Sequence, residues 1–172
     1  MGVTISFVLV TDEELTRATE LSEQAWEAYE SGDVDDTDEL DEPVYEIYYA
    51  ADHEAEPDGS LGKSWAGLQF LFDAHEGIEI DLRLDGDGLT VDSHLMAWSP
   101  YYLQKAAEQL RAVPFDELAR HFDPDRMNAE QIYPGGGWSA AELDYLRRNY
   151  DSWRRFLDHA VDSGMAAIRY FG

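Results

Sequence analysis

Six side chains have the types a small-molecule pocket uses: Lys63, Trp65, Asp123, Asn128, Tyr133 and Trp138. Aromatic rings supply flat apolar walls, and an ammonium, a carboxylate and an amide supply the few polar groups that orient a ligand between them. Trp98, Tyr101 and Tyr102 could extend those walls. Core packing is the ordinary fate of such rings and is the preferred reading.

Other candidate chemistry is weaker. The five histidines, His53, His75, His94, His121 and His159, show no HxH, HxxxH or HExxH spacing, so only the fold could assemble a zinc site from them. His121 and Asp123 form the pair closest to a carboxylate-oriented imidazole. Asp81, Asp85, Asp87 and Asp92 are acidic enough for a hard cation but miss the calcium-loop pattern, and Asp-Gly pairs between alternating residues indicate a hairpin. Gly135, Gly136 and Gly137 precede a helix without the lysine of a phosphate loop, so they read as a flexible helix entry. Arg147, Arg148, Arg154 and Arg155 follow Asp144 and Asp151 by three or four residues, which predicts a face of ion pairs and not an anion site. No GxSxG elbow or other nucleophile motif is present, so no catalytic residue is assigned and neither metal nor cofactor is expected.

Composition narrows the class. The chain has 172 residues, enough for one domain with a substantial core, and no cysteine, which removes disulfides, thiolate metal sites and a thiol nucleophile. Its net charge is -25, and residues 1 to 58 hold 19 acidic side chains against Arg17 alone. Such a surface repels phosphate backbones and anionic lipids, so neither nucleic acid nor membrane is an expected partner. A basic protein is the partner this field attracts, and Asp33, Asp35, Asp36, Asp38, Glu39, Asp41 and Glu42 are its densest stretch; the alternative reading of the charge is that it only keeps the protein soluble and apart from its neighbours. The absence of a signal-peptide pattern and of any apolar run of spanning length suggests the cytoplasm.

The elements expected to position these groups follow from periodicity. Residues 3 to 10 read as a strand, and Thr11 to Glu14 as the capping box of a helix that Gly32 ends. Residues 33 to 42 read as a solvated acidic loop, 44 to 50 as a strand after Pro43, and 51 to 60 as a second acidic loop. Leu61 to Phe72 is a buried helix with Ser60 as its cap. Ile78, Ile80, Leu82 and Leu84 alternate as a half-buried strand, which turns at 85 to 88 and returns over 89 to 91, with a further short strand at 94 to 98.

Ser99-Pro100 opens a helix with Tyr102, Leu103, Ala106, Ala107 and Leu110 on its apolar face. Residues 114 to 138 form a packed connector, with a helix from Pro114 burying Phe115, Leu118 and Phe122, that carries Trp138 into the core. Ser139 caps the longest helix, whose Leu143, Leu146, Tyr150, Trp153, Leu157 and Ala160 form a heptad-like seam, and residues 165 to 171 close the chain as a strand.

This order of features resembles the bacterial YfbM-like family, a domain of unknown function. The likeness is carried by Ser99-Pro100, Phe122-Asp123, Met127, Ile132-Tyr133-Pro134, Trp138, the Leu-rich last helix and the closing strand. Upstream, Lys63-Ser64-Trp65 before Gly67-Leu68 is similar to the family's K-x-W helix, and the first strand followed by TDEEL is similar to its opening. Where the family places histidines near that tryptophan helix this chain has Ala66 and Gln69, which weakens a metal or acid-base role there. The resemblance implies one α+β domain and brings no catalytic residues.

The expectation is a single α+β domain over 1 to 172, an antiparallel or mixed sheet packed against helices, and monomeric. Its leading function is non-catalytic binding of a basic protein through the acidic N-terminal third. The alternative is a small-molecule binder or enzyme with a pocket near Lys63, Trp65, Asp123, Tyr133 and Trp138. A third is self-association through the seam of the last helix.

Overall fold

The computed structural model describes residues 2 to 172. Strand formers at both ends of the described chain meet at the centre of one antiparallel sheet: β1 (Ile5–Val10) pairs with β5 (Ala166–Phe171) from Ile5 opposite Phe171 to Val10 opposite Ala166. The full order is β2 (Ser60–Gly62), β1, β5, β4 (Leu95–Trp98) and β3 (Asp87–Gly88), every neighbour antiparallel. Alternation sends successive side chains to opposite faces. Ala166, Ala167, Ile168 and Arg169 of β5 are all buried, so both faces of the central strand are covered.

On one face Val8, Val10, Leu95, Ala97 and Ile168 pack with Ala18 of α1 (Asp12–Ser31) and Val44 and Tyr48 of α2 (Thr37–Ala50). On the other, Phe7, Trp98 and Ala167 join a larger core with α3 (Trp65–Asp73), α4 (Pro100–Ala112), α5 (Phe115–Ala119), α6 (Pro124–Ala129) and α7 (Glu142–Ser163). Its centre is aromatic: Phe7 meets Trp98 edge-on at 4.8 Å between centroids, and Trp153 at 5.3 Å.

Local rules hold where the sequence states them most fully. Thr11 caps α1 in a capping box with Glu14, and Gly32 ends it in the left-handed region. Gly164 ends α7 in the same way, before β5. The α7 seam is real, but Leu146, Tyr150, Trp153, Leu157 and Ala160 are all spent on the chain's own core. That use removes the seam as a self-association surface.

Several expectations are corrected. Residues 33 to 50 are not a loop and a strand: α2 starts at Thr37, capped by the Asp36 carboxylate on the Asp38 N-H. Asp41, Val44 and Tyr48 are buried at steps of three and four, a helical period that outweighs the strand propensity of the tyrosines and tolerates Pro43 inside the helix. Residues 78 to 84 form no strand, although Ile78, Ile80 and Leu82 are buried in alternation. Their backbone instead bonds to side chains: Glu79 N-H to Gln109 at 2.8 Å, Asp81 N-H to Asp85 at 2.8 Å and Leu82 N-H to Gln69 at 2.8 Å. Leu84 is 70% exposed, and residues 89 to 91 form no return strand; Asp87–Gly88 is the piece that pairs with β4.

Residues 61 to 64 precede α3 as part of β2 and a turn, and Ser60 is a strand residue rather than a cap. The connector holds two short helices: Pro114 stands at the cap of α5, which ends before the half-buried Phe122, and Asp123 caps α6 through the Arg126 N-H at 3.0 Å. Nor do Asp144 and Asp151 pair with the α7 arginines among the described residues; Arg147 reaches Asp116 of α5 at 2.9 Å.

Candidate functional site

Two concavities each hold a few of the candidate residues. The larger, about 860 Å³, lies between α3, the 81 to 84 segment and the connector. Trp65 of α3 and Tyr133 of the connector form one wall, stacked at 5.8 Å with 21° between planes. Gln69, Asp81, Arg83, His121, Arg126 and Glu130 supply polar groups around it. Arg126 is held by Glu130 at 2.6 Å, which presents the pair as a neutral rim.

Of the six predicted ligand residues, only Trp65 and Tyr133 line this cleft. Lys63 is exposed, and Gly2 packs so tightly against the Tyr133 hydroxyl and Lys63 Cε that a Cβ there would have no room. Asn128 and Trp138 fasten the connector instead: the Asn128 amide donates to the Trp138 carbonyl at 2.8 Å and accepts from its N-H at 2.9 Å. Trp138 also donates its indole N-H to Ile132 at 3.0 Å. Asp123 is a helix cap. Of the further aromatics, Trp98 is core and Tyr101 is 70% exposed away from the cleft.

Residues the sequence did not flag are Arg83 and Gln69. Gln69 stands where the family resemblance suggested a histidine, and both ends of its amide latch the 78 to 84 segment, with the NH₂ on the Ile80 carbonyl at 2.9 Å. His121 does not meet Asp123 in a hydrogen bond; its ring lies edge-on to His75 at 5.9 Å, and His75 bonds Glu117 at 3.1 Å. Among the described residues no group of His, Asp and Glu gathers to hold a metal ion, and Asp81 and Asp85 serve backbone turns.

The second concavity, about 540 Å³, runs along α2 and is lined by Asp38, Glu39, Glu42, Tyr45, Tyr49, Asp92, His94 and Tyr170. Helical spacing places Asp38, Glu42, Tyr45 and Tyr49 along one side of α2. Tyr45 and Tyr49 stack at 5.8 Å, and Tyr49 is 68% exposed. Of the seven predicted partner residues, Asp33, Asp35, Asp36, Asp38, Glu39 and Glu42 are exposed.

Asp41 is the exception. It is fully buried and accepts the Val91 N-H at 2.7 Å and the Asp92 N-H at 2.9 Å, tying α2 to the loop before β4. Burial raises its pKa above the ordinary carboxylate value, partly opposed by those two bonds. Burial also pushes Asp92 upward, but hydrogen bonds from Thr90, the Tyr45 hydroxyl at 2.6 Å and the His94 N-H outweigh it, and its pKa is lowered. Tyr45 in turn is driven well above the usual phenol value by burial and by Asp92.

A family model described as a domain of unknown function, DUF1877, matches residues 1 to 170. The chain belongs to this family. The DUF1877 chain is also similar in structure to YfbM from Escherichia coli, a protein of unknown function, with a TM-score of 0.63 over 98% of this chain and 99% of that one. Their sequences are 15% identical, so the similarity concerns the fold: helices around a five-stranded antiparallel sheet, with a last strand after the C-terminal helix. No curated protein matches the sequence. Among the described residues of this DUF1877 domain no helix is long and apolar enough to cross a membrane.

Proposed function

We propose that this DUF1877 domain is a cytoplasmic, non-catalytic binding protein that engages a basic protein through its acidic N-terminal third. The observation that carries the reading is the α2 groove, where three exposed carboxylates, Asp38, Glu39 and Glu42, stand beside the stacked Tyr45 and Tyr49. A guanidinium pairs with carboxylates through its fork of donors and stacks on aromatic faces, so this lining suits arginine-bearing segments. Around the groove, the -18 carried by residues 1 to 58 steers such a partner over a Debye length of about 10 Å.

The test is binding of a defined arginine-rich peptide to the intact protein and to a triple charge reversal, D38K/E39K/E42K. A control of equal charge, D144K/D151K/D162K on α7, separates the groove from net charge. The groove variant is expected to slow association about tenfold at low salt, with a flatter salt dependence and a smaller effect from the control. Equal losses from the two variants would overturn the assignment to the groove.

A second reading is favoured by the larger cleft: its size and the stacked Trp65 and Tyr133 suit a small planar ligand. W65A and Y133A would each lower affinity for such a ligand and leave the peptide titration unchanged.

A further inference from the structure

Arg169 is the least explained side chain in the molecule. Alternation along β5 turns it to the face covered by α3 to α7, and it is 1% exposed. Its Nη2 donates to the Arg83 carbonyl at 3.0 Å, while Nε and Nη1 have no hydrogen-bond partner among the described residues. A buried cation with unmatched donors costs more than an apolar side chain of similar volume in the same place. Burial and the neighbouring Arg83 lower its pKa to about 10, partly offset by Asp81, so it remains protonated at neutral pH.

Arg83 makes the arrangement stranger still. It is exposed, its Cζ lies 5.4 Å from the Phe171 ring and 6.0 Å from Trp65, and the Arg169 Cζ lies 5.9 Å from the same Phe171 ring. Two cations lean on one ring and repel each other. The chain has 37 acidic side chains for 12 basic ones, and Lys105, Arg111, Arg126 and Arg147 each take a carboxylate. Among the described residues neither Arg83 nor Arg169 is in such a pair. The two arginines border a cleft of about 400 Å³ with Val3, Leu84, His94 and Phe171 in its walls. Asp92 also borders it, but its carboxylate is taken by the Tyr45 hydroxyl and the His94 N-H.

We propose that Arg83 and Arg169 form a binding site for a small oxyanion, the carboxylate or phosphate group of a low-molecular-weight ligand whose apolar part lies against Phe171. The anion neutralises the repulsion between the guanidinium groups and supplies the acceptor that Nε and Nη1 lack. Those nitrogens are screened from solvent, so the anion meets the exposed Arg83 first and reaches Arg169 through movement of the side chains around it. Arg83 also lines the larger cleft beside Trp65, which gives a longer ligand a wall to extend along. This site takes the opposite charge from the α2 groove and stands or falls independently of it.

The experiment follows the arginine Nε-H resonances of the ¹⁵N-labelled protein during titration with sodium phosphate or sodium acetate, against sodium chloride at matched ionic strength. A saturable shift of the Arg169 resonance is expected with at least one oxyanion, and R83Q should weaken it about tenfold, the equivalent of about 1.4 kcal/mol. Response to acetate alone assigns a carboxylate, to phosphate alone a phosphate, and to both the oxyanion class. No saturable shift beyond that of chloride overturns the site, as does an R83Q titration that matches the wild type. R169M supplies a second variant, expected to fold with an unfolding midpoint no lower than the wild type and to lose the saturable response of the Arg83 resonance. Should R169M not fold, the exposed R83Q remains decisive.

Discussion

Two buried charges in this protein obey different logic, and the difference lies in their hydrogen bonds. Asp41 and Arg169 are both sealed from solvent. Asp41 has its acceptors matched by two backbone N-H groups, so its work is structural: it fastens α2 to residues 91 and 92. Replacing it with alanine strands both donors in a buried site, and D41A should lose about 2 kcal/mol in a denaturant titration at neutral pH. The raised pKa fixes the sign of a pH effect. The folded state binds a proton at Asp41 at a higher pH than the unfolded chain, so the contribution of Asp41 is greatest below its ordinary value and falls as pH rises through the raised one. The penalty of D41A should therefore vary with pH across that interval, and a penalty constant through the acid range would contradict the assignment. In sequence Asp41 was indistinguishable from its acidic neighbours, because burial is a property of α2 against the sheet and not of the residue.

At the scale of elements, helix propensity and packing disagree at Gly67. It lies inside α3, where alanine is worth roughly 1 kcal/mol more than glycine on propensity alone. A Cβ at Gly67 would approach the Trp138 ring to 2.5 Å and Leu146 to 2.8 Å, so the connector and α7 would both have to shift. Overpacking of this kind costs about 1–3 kcal/mol, and G67A is expected to lower the unfolding midpoint despite its better propensity. A midpoint at or above that of the wild type would show that Trp138 is free to move.

That contact also marks what was legible from sequence. α1, α4 and α7 announce themselves through caps and long apolar periods that need no tertiary partner to be seen. α2 was hidden because VYEIYYA is rich in strand formers, and only burial against the sheet selects the helical alternative. The 78 to 84 segment kept its alternation but not its strand, since Gln69 and Gln109, distant in sequence, take its backbone N-H groups. The same reason divides the site: Trp65 and Tyr133 were visible as aromatic types, whereas the nearness of Arg83 to Arg169 depends on a loop and a sheet that the sequence does not bring together.

For the whole molecule, the charge is divided by the sheet as well as by the chain. α1 and α2 pack on one face and belong to the segment carrying -18, while 11 of the 12 basic residues lie beyond residue 58. Self-repulsion of this kind destabilises the compact state, and salt relieves it as the Debye length shrinks from about 30 Å near 0.01 M to about 3 Å near 1 M. Adding sodium chloride across that range should therefore stabilise the fold by about 1 kcal/mol, or ~3 °C for a chain this size. D33N/D35N/E42Q should remove part of that response and raise the low-salt midpoint, because Asp35 and Glu42 make no side-chain hydrogen bond among the described residues and Asp33 accepts only from the exposed Ser31 hydroxyl at 3.0 Å, unlike Asp36 and Asp41, which hold backbone N-H groups. A basic partner relieves the same repulsion, so an arginine-rich peptide should raise the midpoint most at low salt and progressively less as salt increases. If salt left the midpoint unchanged in both proteins, repulsion within the acidic third would be too weak to matter to the fold, and its role in drawing a partner would rest on the α2 groove alone.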